Sequence, residues 1–247
     1  MNIMSWDENF FDNVEFEEIE MDVNGTMVSG KVPIVMRDMS RIVTVSLIDA
    51  EKAQALLPPG IEVASKLLSG PLPEGKAALF IGITEKRQVD GLQMLPYTEV
   101  FICIIVAYQG EPMYHAIQVP NTTTETVDGV KALWNFPSFL CEVTNDETED
   151  AITSRVEADG QHLLTMKVPK GETRLMTMPT AFTTVIDGEI RVARGLQQVE
   201  MSIADGSEAT LELGDHPYAD TLRDLDVGQC VMSAYSPKIQ YWLDAAK

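Results

Sequence analysis

Apolar and polar residues alternate along much of this chain, and the period is two rather than 3.6. Val14 and Phe16 alternate with Glu15 and Glu17, and Ile19, Met21 and Val23 alternate with Glu18, Glu20 and Asp22. A period of two puts the apolar side chains on one face of a strand, so this segment predicts an N-terminal strand pair with one dry face. Residues 42–48 (Ile-Val-Thr-Val-Ser-Leu-Ile) are a β-branched strand. Asp49 can then cap a short helix through Leu57, stopped by Pro58-Pro59-Gly60. Residues 77–84 and 100–108 are continuous apolar runs, as in strands buried on both faces. Shorter runs follow at 114–119, 163–168 and 190–193. The pair 199–203 and 209–213 flanks Asp205-Gly206, a hairpin signal. Helical periodicity is confined to 50–57, 128–134 and 219–224, and residues 239–246 read as a strand end or a terminal helical turn. The pattern predicts a β-rich α+β chain of mostly antiparallel strands with a few short helices.

Composition narrows this picture. A chain of 247 residues, 45% of them apolar, suits one large β-rich domain or at most two small ones. No apolar run reaches the roughly 18–20 residues that a membrane span needs, and the N-terminus lacks the basic and apolar regions of a secretory signal. Cys103, Cys141 and Cys230 are widely spaced in apolar surroundings, which suits reduced thiols and a cytoplasmic location. The charge is extreme: 18 basic against 38 acidic residues, a net charge of −20. Nucleic acid and anionic membranes would be repelled, and a small anionic substrate would have to be held by local cations. His115, His162 and His216 lack metal-ligand spacing, and no phosphate-cradling glycine loop is present, so neither metal nor cofactor is expected.

Three stretches together carry a resemblance. The strand into Asp49, the helix after it and Leu57-Pro58-Pro59-Gly60-Ile61-Glu62-Val63 form the first. Pro96-Tyr97-Thr98-Glu99, opening a buried strand, is the second. The third runs from Leu211-Glu212-Leu213 through His216-Pro217 and Asp224-Leu225 to Val231-Met232-Ser233-Ala234-Tyr235. In order and spacing they resemble the acetoacetate decarboxylase family from about residue 25 to the end. The resemblance implies one domain over 25–247 whose antiparallel sheets form a cone- or barrel-like cavity, with 1–24 as an acidic strand extension, and a homo-oligomer. That family's centre is a loop whose lysine forms a Schiff base with a ketone, beside a second lysine that lowers its pKa. The matching segment here is Lys131-Ala132-Leu133-Trp134-Asn135-Phe136-Pro137-Ser138-Phe139. Phe136-Pro137 fits, but Ser138 and Phe139 stand at the two lysine positions, Ala132 at an acidic one, and Leu47 at about the early-strand arginine. Glu99 is retained.

The resemblance and these departures define the candidate site. Glu99 is expected as general acid or base, with His115 and Ser138 as further catalytic candidates. Each has a structural alternative: a surface cap for Glu99, a strand histidine, a loop serine bonded to backbone. Tyr97, Tyr114, Asn121, Trp134, Phe136, Phe139 and Leu47 are expected to line the pocket. Lys131 is the lysine near the loop in sequence, and His216 reads as a turn-stabilising residue. The expected function is a cofactor-independent lyase without a Schiff base, acting on an apolar or aromatic carbonyl or hydroxyl compound by aldol-type cleavage, dehydration or decarboxylation. The alternative is a non-catalytic small-molecule-binding member of the same fold. A pocket without those lysines and that arginine is expected to reject small keto acids.

Overall fold

The computed structural model describes residues 6–67, 70–90 and 96–247; residues 1–5, part of the segment read for a leader, lie outside them. Strands β1 (Glu17–Val23) and β2 (Thr26–Val32) form the N-terminal hairpin. Its turn, Asn24-Gly25, has φ of 52° and 83°, the positive pair a two-residue type I′ turn requires. Strand β3 (Ile34–Asp49) runs directly into α1 (Ala50–Ala55), where the Asp49 carboxylate accepts from the Lys52 backbone N–H. The short β4 (Glu62–Val63), β5 (Lys66–Leu67) and β6 (Gly70–Pro71) lead to the long β7 (Lys76–Asp90), β8 (Tyr97–Tyr108) and β9 (Glu111–Asn121). Helix α2 (Thr124–Trp134) starts earlier than its periodicity suggests. The Thr123 hydroxyl caps it, and Asn135 ends it in the left-handed region at φ 51°. Then come β10 (Ser138–Leu140), β11 (Glu142–Glu147), β12 (Ala151–Ala158), β13 (Gln161–Pro169), β14 (Arg174–Ile186), β15 (Glu189–Ala204), β16 (Thr210–Leu213), α3 (Pro217–Asp224) and β17 (Cys230–Leu243).

Seven strands close a barrel in the order β9-β14-β15-β17-β3-β7-β8, with β8 pairing back to β9. All neighbours are antiparallel except β9 and β14. A second sheet, β11-β12-β13-β16, lies against the outside. The two faces of the barrel strands bury into different cores. Ile42, Ile81, Ile83, Ile102 and Ile104 point outward and pack with Leu163, Leu164, Met166 and Val168 of the second sheet and with Ala219 and Leu222 of α3. The inward row belongs to another cluster, which includes Cys103, Phe182 and Tyr241 and takes in Val130, Leu133 and Trp134 of α2. Burial on both faces explains why β7 and β8 read as unbroken apolar runs.

The hairpin expected around Asp205-Gly206 does not form. Strand β16 pairs with β13, Leu213 opposite Leu164, while β15 pairs with β14 and β17. Leu211 and Leu213 pack against the outer core, which a fold back onto β15 would forgo. Among the described residues no helix is long and apolar enough to cross a membrane.

Candidate active site

The inner face of the barrel carries a polar girdle whose order follows from strand register. Residues directly opposite on antiparallel neighbours share a face. Arg41 on β3 stands opposite Thr84 on β7, Thr84 opposite Glu99 on β8, and Glu99 opposite Asn121 on β9. One rung along, Met39, Lys86 and Tyr97 line up in the same way. Lys86 is diagonal to Glu99, within reach of a lysine stem.

Glu99 and Lys86 are buried, at 1% and 6% exposure. The Lys86 ammonium donates to Glu99 Oε1 at 2.5 Å and to the Tyr97 hydroxyl at 3.0 Å, and lies 4.9 Å from the centre of the Tyr97 ring. Burial pushes Lys86 below the ordinary lysine value; Glu99 opposes that shift and Arg41 adds to it. Burial and the Glu99 charge hold the Tyr97 phenol well above its ordinary value, so Tyr97 stays protonated. Arg41 donates through Nε to Thr84 Oγ1 at 3.0 Å and through Nη1 to Gln197 Oε1 at 3.1 Å. Among the described residues nothing takes its Nη2. The Tyr241 hydroxyl, 2.9 Å from Thr180 Oγ1, completes the wall, and Gly195 makes room for it. A Cβ on Gly195 would stand 2.7 Å from the Tyr241 ring and 2.3 Å from the Trp242 carbonyl oxygen.

Beside the girdle lies an aromatic cluster. Phe101 is 5.1 Å from Phe182 and 6.0 Å from Phe136, and Tyr114 is 5.4 Å from Phe182 and 4.9 Å from Phe80, between ring centroids. Phe80, Phe101, Tyr114 and Arg41 all keep partial exposure although they face inward. With Arg41, Lys86 and Glu99 ionised, one positive charge is left over there, in a protein whose net charge is −20.

The structure distributes the sequence candidates over several places. Glu99, Tyr97, Asn121, Tyr114 and Phe136 meet inside the barrel. Trp134 stacks on Phe136 at 5.9 Å, with its Nε1 donating to the Asp244 carbonyl. Ser138 is buried, but its hydroxyl donates to the Val119 carbonyl at 2.8 Å and accepts from Asn121 Nδ2 at 2.9 Å, which ties β10 to β9. His115 and Phe139 face the other way. His115 stands opposite Ile104 of the outer core, its Nδ1 3.0 Å from Thr183 Oγ1, and burial lowers its pKa. Phe139 packs on Tyr218 at 4.0 Å. Leu47, on the row of Arg41, lies six residues further along β3, roughly 20 Å away at strand rise. Lys131 is exposed on α2, and His216 caps α3 by accepting from the Tyr218 N–H.

The sequence reading missed Arg41 and Lys86, which place two cations on the inner face of the barrel. Arg41 stands on the same row of β3 as Leu47, opposite Thr84. Lys86 sits in Glu85-Lys86-Arg87, just past the apolar run 77–84. The strand in fact continues to Asp90, and Lys86 keeps the inward parity of Phe80, Gly82 and Thr84. Counting parity through the charged segment would have found it.

The family model for acetoacetate decarboxylase (ADC) matches residues 23–246. No curated protein sequence matches the chain. Among solved structures, acetoacetate decarboxylase from Legionella pneumophila superposes with a TM-score of 0.64 at 17% identity, covering 87% of this chain and 86% of its own. An acetoacetate decarboxylase-like enzyme from Sphingomonas wittichii RW1 gives 0.59 at 12%, covering 87% and 92%. The enduracididine biosynthesis enzyme MppR, complexed with pyruvate, gives 0.62 at 12%, covering 87% and 89%. At these identities the likeness is one of fold.

Proposed function

The chain belongs to the acetoacetate decarboxylase family, and from the groups inside its barrel we propose that it is a lyase acting on a carbonyl compound with one carboxylate and an apolar or aromatic body. The observation that carries this reading is the buried cluster of Arg41, Lys86 and Glu99, with its surplus of one positive charge. In a low-dielectric interior such a surplus asks for one anion. The unengaged Nη2 of Arg41 offers a carboxylate a charge-assisted hydrogen bond. This replaces the expectation that keto acids are rejected.

Once the carboxylate is seated on Arg41, the remaining groups fall into roles. Tyr97 and the Lys86 ammonium are donors for the substrate's carbonyl oxygen, where negative charge develops as a bond to the neighbouring carbon breaks. Glu99, held by Lys86, is the group to take or return the proton at that carbon. Phe80, Phe101, Tyr114 and Phe182 receive the apolar body. The same machinery serves decarboxylation, aldol-type cleavage or dehydration, since each passes through an enolate-like state. A binding protein would have no need to bury a lysine–glutamate pair, which is costly to desolvate.

The test is turnover against a panel of 2-oxo and 3-oxo acids with and without aryl groups. Glu99→Gln keeps the shape but cannot titrate, so turnover should fall by about 10²–10⁴-fold. Wild-type turnover in that variant would remove Glu99 from the mechanism.

A further inference from the structure

Outside the barrel, residues 6–16 lie as a strap across β15 and β17 before the chain enters β1. Two glutamines, opposite each other on those strands, pin it there. The Asp7 backbone N–H donates to Gln198 Oε1 at 3.0 Å. Gln240 Nε2 donates to the Asp7 carbonyl and to Gln198 Oε1, both at 2.7 Å. Two cations seated on aromatic rings hold the strap as well: Lys238 lies 3.9 Å from the centre of Trp6, and Arg37 lies 4.9 Å from that of Phe11. Between the strap and the barrel wall is a cleft of about 550 Å³, within the roughly 300–1,000 Å³ typical of small-molecule sites.

We propose that this cleft binds a small organic cation: an ammonium on a flat apolar body that also carries a hydrogen-bond acceptor. Three observations specify that chemistry. Phe10 and Val14 of the strap and Leu196 and Trp242 of the wall line the cleft. All four are half-buried, and none of them belongs to the cores described above, so they form an apolar surface of their own. The charged residues around it are Asp7, Glu15, Glu17 and Asp244 against Lys247. Lys247 is taken up by Glu17 at 3.3 Å and Asp244 at 3.2 Å, while Glu15 has no ion-pair partner among the described residues. The surplus is negative, and a protein of net charge −20 concentrates cations around itself. The indole of Trp242 adds a ring face, which attracts an ammonium.

The third observation is a donor. The Asp7 carbonyl can only accept, so the Gln240 atom beside it is the amide nitrogen; the Asp7 N–H can only donate, so the Gln198 atom beside it is the oxygen. Gln198 is 5% exposed and lines the cleft, and its Nε2 is left without a partner among the described residues. A buried amide N–H of this kind calls for an acceptor on the ligand. The cleft is separate from the polar girdle. Leu196, Gln198 and Trp242 alternate along β15 and β17 with Gly195, Gln197 and Tyr241, which turn inward, so the two groups of side chains occupy opposite faces of one wall. The proposal therefore stands apart from the lyase reading.

The test is calorimetric titration of the full chain with phenylalaninamide, which has the ammonium, the ring and an amide carbonyl. Saturable one-to-one binding is expected. N-acetylphenylalaninamide, which has no charge, should bind at least about tenfold more weakly. Phenethylamine, which lacks the carbonyl, should bind about 2- to 10-fold more weakly. Trp242→Leu should weaken phenylalaninamide binding by about 2- to 30-fold, with the fold checked by circular dichroism. Asp7→Asn/Glu15→Gln changes exposed side chains and keeps the Asp7 acceptor for the Asn9 N–H; it should weaken binding by about 2- to 20-fold. Failure to saturate at millimolar phenylalaninamide, or equal binding of the acetylated compound, would overturn the proposal. So would binding that both cleft variants leave unchanged, or that is lost in Glu99→Gln instead, which would put the cation inside the barrel.

Discussion

The lysine–glutamate pair makes a prediction about stability that separates function from architecture. Lys86 and Glu99 side chains are 7% and 1% exposed, and their contact is 2.5 Å. Removing one partner of such a pair leaves a charge in the interior, which costs about 3–5 kcal/mol. Lys86→Met should therefore destabilise the protein by about that amount, toward the lower end because Arg41 shares the girdle with Glu99. For a chain of this size that corresponds to a fall of roughly 6–20 °C in melting temperature. Glu99→Leu should behave alike, leaving two cations facing each other. Lys86→Met/Glu99→Leu removes both charges and fills the space with apolar atoms, which is neutral or stabilising by about 1–4 kcal/mol in comparable cases. The two single costs should thus fail to add in the double variant. Urea unfolding of the four proteins at neutral pH measures the cycle, and turnover measured alongside should be lost in all three variants. A double variant as stable as wild type but inactive would mean that the pair is kept for chemistry at the expense of stability. Additive losses, or a stabilising Lys86→Met alone, would show that the two charges do not depend on each other.

Arg41→Ala should weaken binding of a carboxylate ligand by about 10- to 150-fold, the worth of one charge-assisted hydrogen bond, and leave an uncharged carbonyl probe almost unaffected; calorimetry with both ligands checks this. Gly195→Ala should destabilise by about 1–3 kcal/mol or more, because the new methyl group would meet the Trp242 carbonyl oxygen, a backbone atom that moves only if β15 and β17 part. Ser138→Ala should cost about 1–3 kcal/mol by leaving Asn121 and the Val119 carbonyl short of a partner, with turnover near wild type; a loss of turnover at full stability would return Ser138 to the site. His115, with its pKa lowered by burial, binds fewer protons folded than unfolded below the ordinary value of about 6.5. Its contribution is therefore present above that pH and lost as pH falls toward the lowered value; His115→Gln should remove this part of the acid sensitivity and leave turnover unchanged.

The elements of this fold were largely legible because they rest on local rules. Period-two alternation marked the N-terminal hairpin, unbroken apolar runs marked β7 and β8, and Asp49 before Ala50 marked a capped helix. Glu99 was legible too, as a carboxylate inside an apolar run, and its burial bears on the choice between enzyme and binding protein. What the one-dimensional pattern does not contain is partnership. β16 looked like the return arm of a hairpin from β15 and pairs instead with β13, because the outer core offered its leucines a better surface. His115 is next to Tyr114 in sequence and on the opposite side of the sheet in space, since each step along a strand turns the side chain over. Arg41, Lys86 and Glu99 lie on three strands, Arg41 well before the other two in the chain. Pairing of β3 with β7 and of β7 with β8 puts Arg41 and Glu99 on one rung and Lys86 on the next, and the register of those two pairings decides that two cations share one buried carboxylate. Local propensity reads one residue against its near neighbours. The charge of a barrel interior is a sum over strands brought together by pairing, so it becomes readable only when the register of the sheet is known.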